Sequence, residues 1–183
     1  MIKGKINNIV LTAELNCLID LNKLKDIFEN VKYDPKKFSG AIVKFTDTKR
    51  TVLVFANGKV VVTGNKEMMD STESLLELTL PLMNKGYNIR IENEKVVNMT
   101  MTFDVKEKIN LCSLTNHIGL RASFEPEIYP AMIYNEKPSK IKCLVFRSGK
   151  VIVTGGTTKS QLKKLFKNLY TEILKCNKDK IVL

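Results

Sequence analysis

A fourteen-residue pattern occurs twice in this chain. TVLVFANGKVVVTG at residues 51–64 returns as KCLVFRSGKVIVTG at residues 142–155, with nine of fourteen positions identical at an offset of 91. At that offset YDPKKF (33–38) also meets FEPEIY (124–129). At an offset of 90, NIVLT (8–12) meets NMTMT (98–102), and IDL (19–21) meets INL (109–111). Ordered self-similarity constrains a chain more than any single motif, because each copy has to fold as one supersecondary unit of the same kind. The copies span about residues 6–91 and 96–183. The charged stretch Glu92–Lys95 reads as the joint between them, inside one domain of residues 1–183.

Each copy predicts the same elements. A strand (Asn8–Leu15, Asn98–Val105) leads to Asp20 or Asn110, both good helix N-caps. A short helix follows, with Leu21, Leu24, Ile27 and Phe28 at helical spacing in the first copy. A turn at Pro35 or Pro126 comes next, then a strand such as Gly40–Phe45. A hairpin turns at Asn57-Gly58 or Ser148-Gly149 between β-branched runs. A longer helix closes each copy, with Leu162, Leu165, Phe166, Leu169, Tyr170, Ile173 and Leu174 as the core stripe of the second. Two such copies predict an α+β fold in which one antiparallel sheet has pseudo-twofold symmetry and carries its helices on one face.

The strands then pose a problem. In residues 52–55 (VLVF) and 60–63 (VVVT) both side-chain parities are apolar or nearly so. An antiparallel sheet with one solvated face alternates apolar and polar. Either something else covers the second face, or that face is an apolar binding surface, which fits a chain whose remaining surface is basic. Charge adds to this: 30 Lys and Arg against 19 Asp and Glu give a net +11, which favours polyanionic partners.

Other classes fall away. Cys17, Cys112, Cys143 and Cys176 are widely spaced and read as buried free thiols in a reducing compartment. With His117 as the only histidine there is no zinc constellation, and His-based triads and His-metal catalysis are excluded. Walker, dinucleotide and nucleophile-elbow motifs are missing, and the run Gly155–Ser160 has the wrong order for a phosphate loop. No apolar run is long enough for a membrane span, and the N-terminus lacks a signal-peptide pattern, so a soluble intracellular protein is expected, with no membrane partner. No cofactor, metal or small-molecule substrate is implied.

The doubled hairpin and the two Pro-centred loops resemble the core of the TATA-box-binding protein family, over essentially the whole chain. The spacing from loop aromatic to hairpin Phe is also the same twice, 38 to 55 and 129 to 146. The resemblance implies a pseudo-twofold saddle of two repeats, with ten strands in a curved antiparallel sheet and four helices on its convex face. Its concave face would lie in the minor groove of A/T-rich promoter DNA and bend it, and this family is itself among the standard examples of such kinking.

By position, Val10, Leu53, Val61 and Thr63 would line the first half of that surface, and Thr100, Leu144, Ile152 and Thr154 the second. Asn8 and Asn98 would donate to the N3 and O2 acceptors of central base pairs. Phe38 with Phe55, and Tyr129 with Phe146, would be the paired wedges entering base steps. Lys37, Lys44, Lys59, Lys66, Lys140 and Lys150 fall where the family has basic groups near phosphates, and Asn57 and Ser148 would add neutral hydrogen bonds there. Glu125, Glu127 and Ile128 keep the Glu-Pro-Glu-hydrophobic pattern of the loop that meets transcription factor IIB. The implied partners are therefore promoter DNA, a transcription factor IIB-like protein, RNA polymerase and other initiation factors. The site of action would be the nucleus in a cellular eukaryote, or the site of viral transcription.

Some positions depart from the family. Tyr129 stands for a usual Phe, Thr100 for a usual Val, Ile152 enlarges a floor position, and Asn135 and Thr157 occupy places usually basic. The stretch Lys66–Leu80 is acidic, with Glu67, Asp70, Glu73 and Glu77 against Lys66, where eukaryotic members are basic. Two rival readings follow: a saddle-fold interaction factor of the transcription machinery with weak or no DNA binding, or an appendage of an enzyme. The second is disfavoured because no paired carboxylates occupy repeat-equivalent, site-like positions.

Overall fold

The computed structural model describes residues 2–67 and 69–178, excepting the side chains of residues 69–71 and 178. The chain forms two compact units: Asn8–Val97, and Asn98–Leu183 with Met1–Asn7. In the first, antiparallel strands lie in the order β2 (Val31–Lys32), β3 (Ala41–Phe45), β4 (Arg50–Val54), β5 (Lys59–Asn65) and β1 (Lys5–Glu14). A 3-10 helix over Leu21–Asp26 and helix α1 (Met69–Asn84) complete it. In the second the order is β6 (Glu92–Asp104), β10 (Lys150–Gly156), β9 (Lys142–Phe146), β8 (Ala131–Asn135) and β7 (Ala122–Ser123), with α2 (Leu111–Ile118) and α3 (Lys159–Lys178). The α+β expectation holds in each unit: five antiparallel strands and helices whose apolar sides meet one side of them.

The caps fall where expected. Asp20 accepts from the Asn22 N–H at 3.1 Å, and Asn110 from the Ser113 N–H at 3.1 Å. The first short helix is 3-10 rather than α and ends at Asp26; Leu21 and Leu24, three apart, are buried on it, while Ile27 and Phe28 lie beyond its end and still pack on the core. In α2 the buried Leu111, Leu114 and Ile118 continue for two turns. Residues 155–160 form no phosphate loop. Gln161 Oε1 accepts from the Thr157 and Thr158 N–H groups, and Thr158 Oγ1 from Gln161, which starts α3.

Burial resolves the doubled apolar strands. Val52 and Val54 of β4, Val60 and Val62 of β5, and Leu11 and Ala13 of β1 are buried against Leu75, Leu78 and Leu82 of α1. Their alternate neighbours Leu53, Val61, Val10 and Thr12 are only half-buried. In the second unit Cys143, Val145, Val151 and Val153 are buried, while Leu144 and Ile152 are half-buried. At roughly 25 cal/mol per Å², the fully buried helix-covered parity supplies more of the stabilisation than the half-buried one.

Four details differ from the expectation. Glu92–Lys95 is not a joint but the start of β6, where Asn93 donates to Glu14 at 2.8 Å; charged side chains pair through their backbone as well as any. Leu174 is 45% exposed and leaves the core stripe of α3. Cys112 is exposed and Cys17 half-buried, so only Cys143 and Cys176 are buried thiols; burial pushes the Cys143 thiol well above its ordinary range. The acidic helix begins at Met69, and two of its carboxylates, Glu73 and Glu77, hold the buried Arg50 at 2.9 and 3.4 Å. Asp70 lies outside the described side chains.

Candidate nucleic-acid interface

The face opposite the helices is built of cross-strand rows, because side chains alternate along a strand and register aligns them between strands. In the first unit Thr12, Val61, Leu53 and Ile42 stand side by side on β1, β5, β4 and β3. In the second, Thr102, Ile152, Leu144 and Ile133 do the same on β6, β10, β9 and β8. The expected Leu53, Val61, Leu144 and Ile152 thus share rows with four residues the sequence reading passed over: Thr12, Ile42, Thr102 and Ile133. The repeat offset relates Thr12 to Thr102 and Ile42 to Ile133, but only strand register puts them in these rows.

The next row holds Thr63, Thr51 and Lys44 in the first unit, and Thr100, Thr154, Lys142 and Asn135 in the second. Val10 sits in a register shift between Ile9 and Leu11, whereas its counterpart Thr100 is hydrogen-bonded to Thr154 at 2.9 Å.

The two asparagines are held alike. Asn8 Oδ1 accepts from the Gly64 N–H at 2.8 Å, and Asn98 Oδ1 from the Gly155 N–H at 2.9 Å. Gly64 (φ +101°) and Gly155 (φ +97°) need the left-handed region, and a Cβ there would lie 2.7 Å from the Lys49 carbonyl or 2.5 Å from the Lys140 carbonyl. Because each Oδ1 is taken by a backbone donor, the amide NH2 is the group left to donate. That of Asn8 already reaches Thr63 Oγ1 at 3.0 Å.

The aromatic pairs assemble as expected. Phe38, 39% exposed, packs edge-on against Phe55 at 5.7 Å between centroids; Tyr129, 43% exposed, packs on Phe146 at 6.5 Å. Beneath the first pair lies Gly40, where a methyl would come within 2.9 Å of Phe38 and 3.0 Å of Phe55. Beneath the second, cross-strand from Phe146, lies the buried Ala131, which carries that methyl.

The basic positions divide. Lys59 and Lys150 project from this face, each in register with a carboxylate, Glu14 or Asp104. Hydrogen bonds from Lys106, whose Nζ is 3.0 Å away, hold the Asp104 carboxyl below its ordinary range, so it stays ionised. Lys44 is exposed at the β3 end of its row, in a groove it shares with Asp47 and Glu77. Lys37 is exposed in the Pro35 turn, 3.6 Å from Asp34. Lys66 and Lys140 are exposed just beyond strand ends, outside these rows. Asn57 Oδ1 and Ser148 Oγ both accept from the backbone of the next-but-one residue, at 3.1 and 3.5 Å, leaving the Asn57 NH2 and the Ser148 hydroxyl proton available.

Glu125, Glu127 and Ile128 lie together on an exposed turn closed by the Ile128 and Tyr129 N–H groups on the Glu125 carbonyl; Ile128 is 78% exposed. A groove of about 650 Å³ runs beside that turn, lined by Ile109, Phe124, Pro126, Pro130 and Arg147 among others. No group of three or more metal-ligating side chains occurs among the described residues, and no helix there is long and apolar enough to cross a membrane.

The family described as "Transcription factor TFIID (or TATA-binding protein, TBP)" matches residues 3–85 and 93–176, which covers both copies of the repeat. The chain belongs to the TATA-binding protein family. It is 37% identical to a TATA-box-binding protein-like 1 of Entamoeba histolytica, over 94% of this chain and 80% of that one. It is 36% identical to a TATA-box-binding protein of Tetrahymena thermophila, over 91% and 68%. Among solved structures it is similar to Methanococcus jannaschii TBP, with a TM-score of 0.85 and 28% identity, over 94% of this chain and 99% of that one. Membership makes the coarse class plain: a non-enzymatic transcription-initiation factor of a DNA-binding family.

Proposed function

We propose that this protein binds A/T-rich promoter DNA through the minor groove, kinks it with its two aromatic pairs, and recruits a transcription factor IIB-like protein and RNA polymerase. One observation carries the reading. Each unit keeps a half-buried apolar strand face opposite its helices, flanked by an oriented asparagine and an aromatic pair, and the arrangement recurs at the repeat offset.

The chemistry suits a minor groove. Leu53, Val61, Leu144 and Ile152 offer shape without donors, which fits A·T pairs and clashes with the guanine amino group. Asn8 and Asn98 supply the donors that such a floor lacks. The aromatic pairs insert between base steps, and the unstacking cost of a few kcal/mol per step is offset by the contact a bent duplex makes. Lys59, Lys150, Lys44, Lys37, Lys66 and Lys140 meet phosphates, with Asn57 and Ser148 beside them. The turn of Glu125, Glu127 and Ile128 receives the transcription factor IIB-like partner, its apolar tip seated on that protein and its carboxylates on basic groups.

Fluorescence transfer on an end-labelled TATA duplex tests this. Wild-type protein shortens the end-to-end distance, and Phe55→Ala with Phe146→Ala abolishes the shortening. A duplex left straight by wild type, or fully bent by the double variant, sinks the reading. The rival role, an interaction factor with weak DNA binding, is favoured by Glu14 and Asp104, which put carboxylates on the same face as Lys59 and Lys150. Salt separates the two: phosphate-based affinity drops by orders of magnitude between roughly 50 and 200 mM.

A further inference from the structure

We infer that Lys142 is a phosphate-binding residue of the second unit and stands in for the basic group missing at Asn135. The inference rests on the DNA-binding reading above. On β9, Cys143 and Val145 are fully buried, so Lys142, Leu144 and Phe146 share the opposite face. Lys142 is in register with Thr154 of β10 on one side and Asn135 of β8 on the other. It therefore stands inside the polar row of the proposed interface, not at its rim.

The first unit shows what has moved. There the same row places Lys44 on the outer strand and Thr51 on the inner one. At the offset of 91 those positions are Asn135 and Lys142. The cation has shifted one strand inward, a spacing of about 4.8 Å, which a lysine's flexible four-carbon stem can span. Among the described residues Lys142 forms no ion pair, and its register neighbours Thr154 and Asn135 are neutral. A solubilising lysine has no reason to lie among Leu144, Phe146 and Thr154, whereas a phosphate ligand does.

The test is fluorescence anisotropy of an A/T-rich duplex at several salt concentrations, with wild type, Lys142→Thr, and Lys142→Thr combined with Asn135→Lys. Threonine is the residue the other copy tolerates at this point, and thermal melts check that each variant folds. Lys142→Thr is expected to make the slope of log affinity against log salt shallower by about 0.9, which is roughly a fivefold loss at 150 mM. The loss should be equal for A/T-rich and G/C-substituted duplexes, since a phosphate contact is blind to sequence. Adding Asn135→Lys should restore the slope. An unchanged slope in Lys142→Thr overturns the inference while leaving the DNA-binding reading intact, as does a loss confined to A/T-rich duplex. Salt-insensitive or absent binding by wild type removes both.

Discussion

The two aromatic pairs come from the same sequence pattern and do not have the same geometry. Phe38 and Phe55 close to 5.7 Å over Gly40, whereas Tyr129 and Phe146 stand 6.5 Å apart over Ala131. A methyl under the first pair would press on both rings, and the second pair already has a methyl, that of Ala131, cross-strand from Phe146. The cations differ as well, on β3 in one unit and on β9 in the other. Repetition of a motif specifies the scaffold, while the copies differ in one methyl and in the strand that carries the lysine. On the proposed function, the two copies would treat the two halves of a DNA site differently.

The largest expected effect asks whether the scaffolds are equal. Leu78 of α1 and Leu169 of α3 are fully buried and 91 residues apart. Truncation to Ala should cost about 2–5 kcal/mol at either position in denaturant unfolding. A near-zero cost at one of them would mean that its unit collapses around the cavity and that the scaffolds are not alike.

Next come the backbone positions that hold the asparagines. Gly64→Ala and Gly155→Ala should each cost about 1–3 kcal/mol in strain, before any contribution from the Lys49 or Lys140 carbonyl. Minor-groove affinity should fall in parallel as Asn8 or Asn98 loses its anchor. Stability lost with affinity intact would separate backbone strain from asparagine positioning.

A smaller effect addresses the wedges. Gly40→Ala should open the first pair toward the spacing of the second, and Ala131→Gly should close the second. With 2-aminopurine placed at each kinked step, the first change lowers the unstacking signal at one end and the second raises it at the other. Equal signals at both ends in wild type would remove the asymmetry. The smallest effect concerns charge: Asp104→Asn should tighten DNA binding by no more than about fivefold, the range of an exposed ion pair. Weaker binding would show that Asp104 matters for positioning Lys106 rather than for opposing phosphate.

Much of this was legible along the chain. The repeat set the α+β class, Asp20 and Asn110 announced their helices, and the doubled apolar strands announced a second working face. Other features were hidden for physical reasons. Thr12, Ile42, Thr102 and Ile133 belong to rows that exist only once register is set, because sequence distance says nothing of cross-strand neighbours. Leu174 fits the helical period yet is exposed, since periodicity reports a stripe and not where the partner surface ends. The carboxylates of Glu73 and Glu77 look like a free acidic face until Arg50 is placed beneath them.

By itself the sequence determined that two like units would form, that both parities of the hairpin strands would be apolar, and which residue types each copy would carry. These follow from local propensity and period, which act over a few neighbouring residues. Only the tertiary structure decided which apolar parity the helices would cover, that the Gly64 and Gly155 N–H groups would hold the Asn8 and Asn98 amide oxygens, and that Lys142 would share a face with Leu144 and Phe146. Those outcomes depend on strand register and on side chains dozens of residues apart meeting at van der Waals distance.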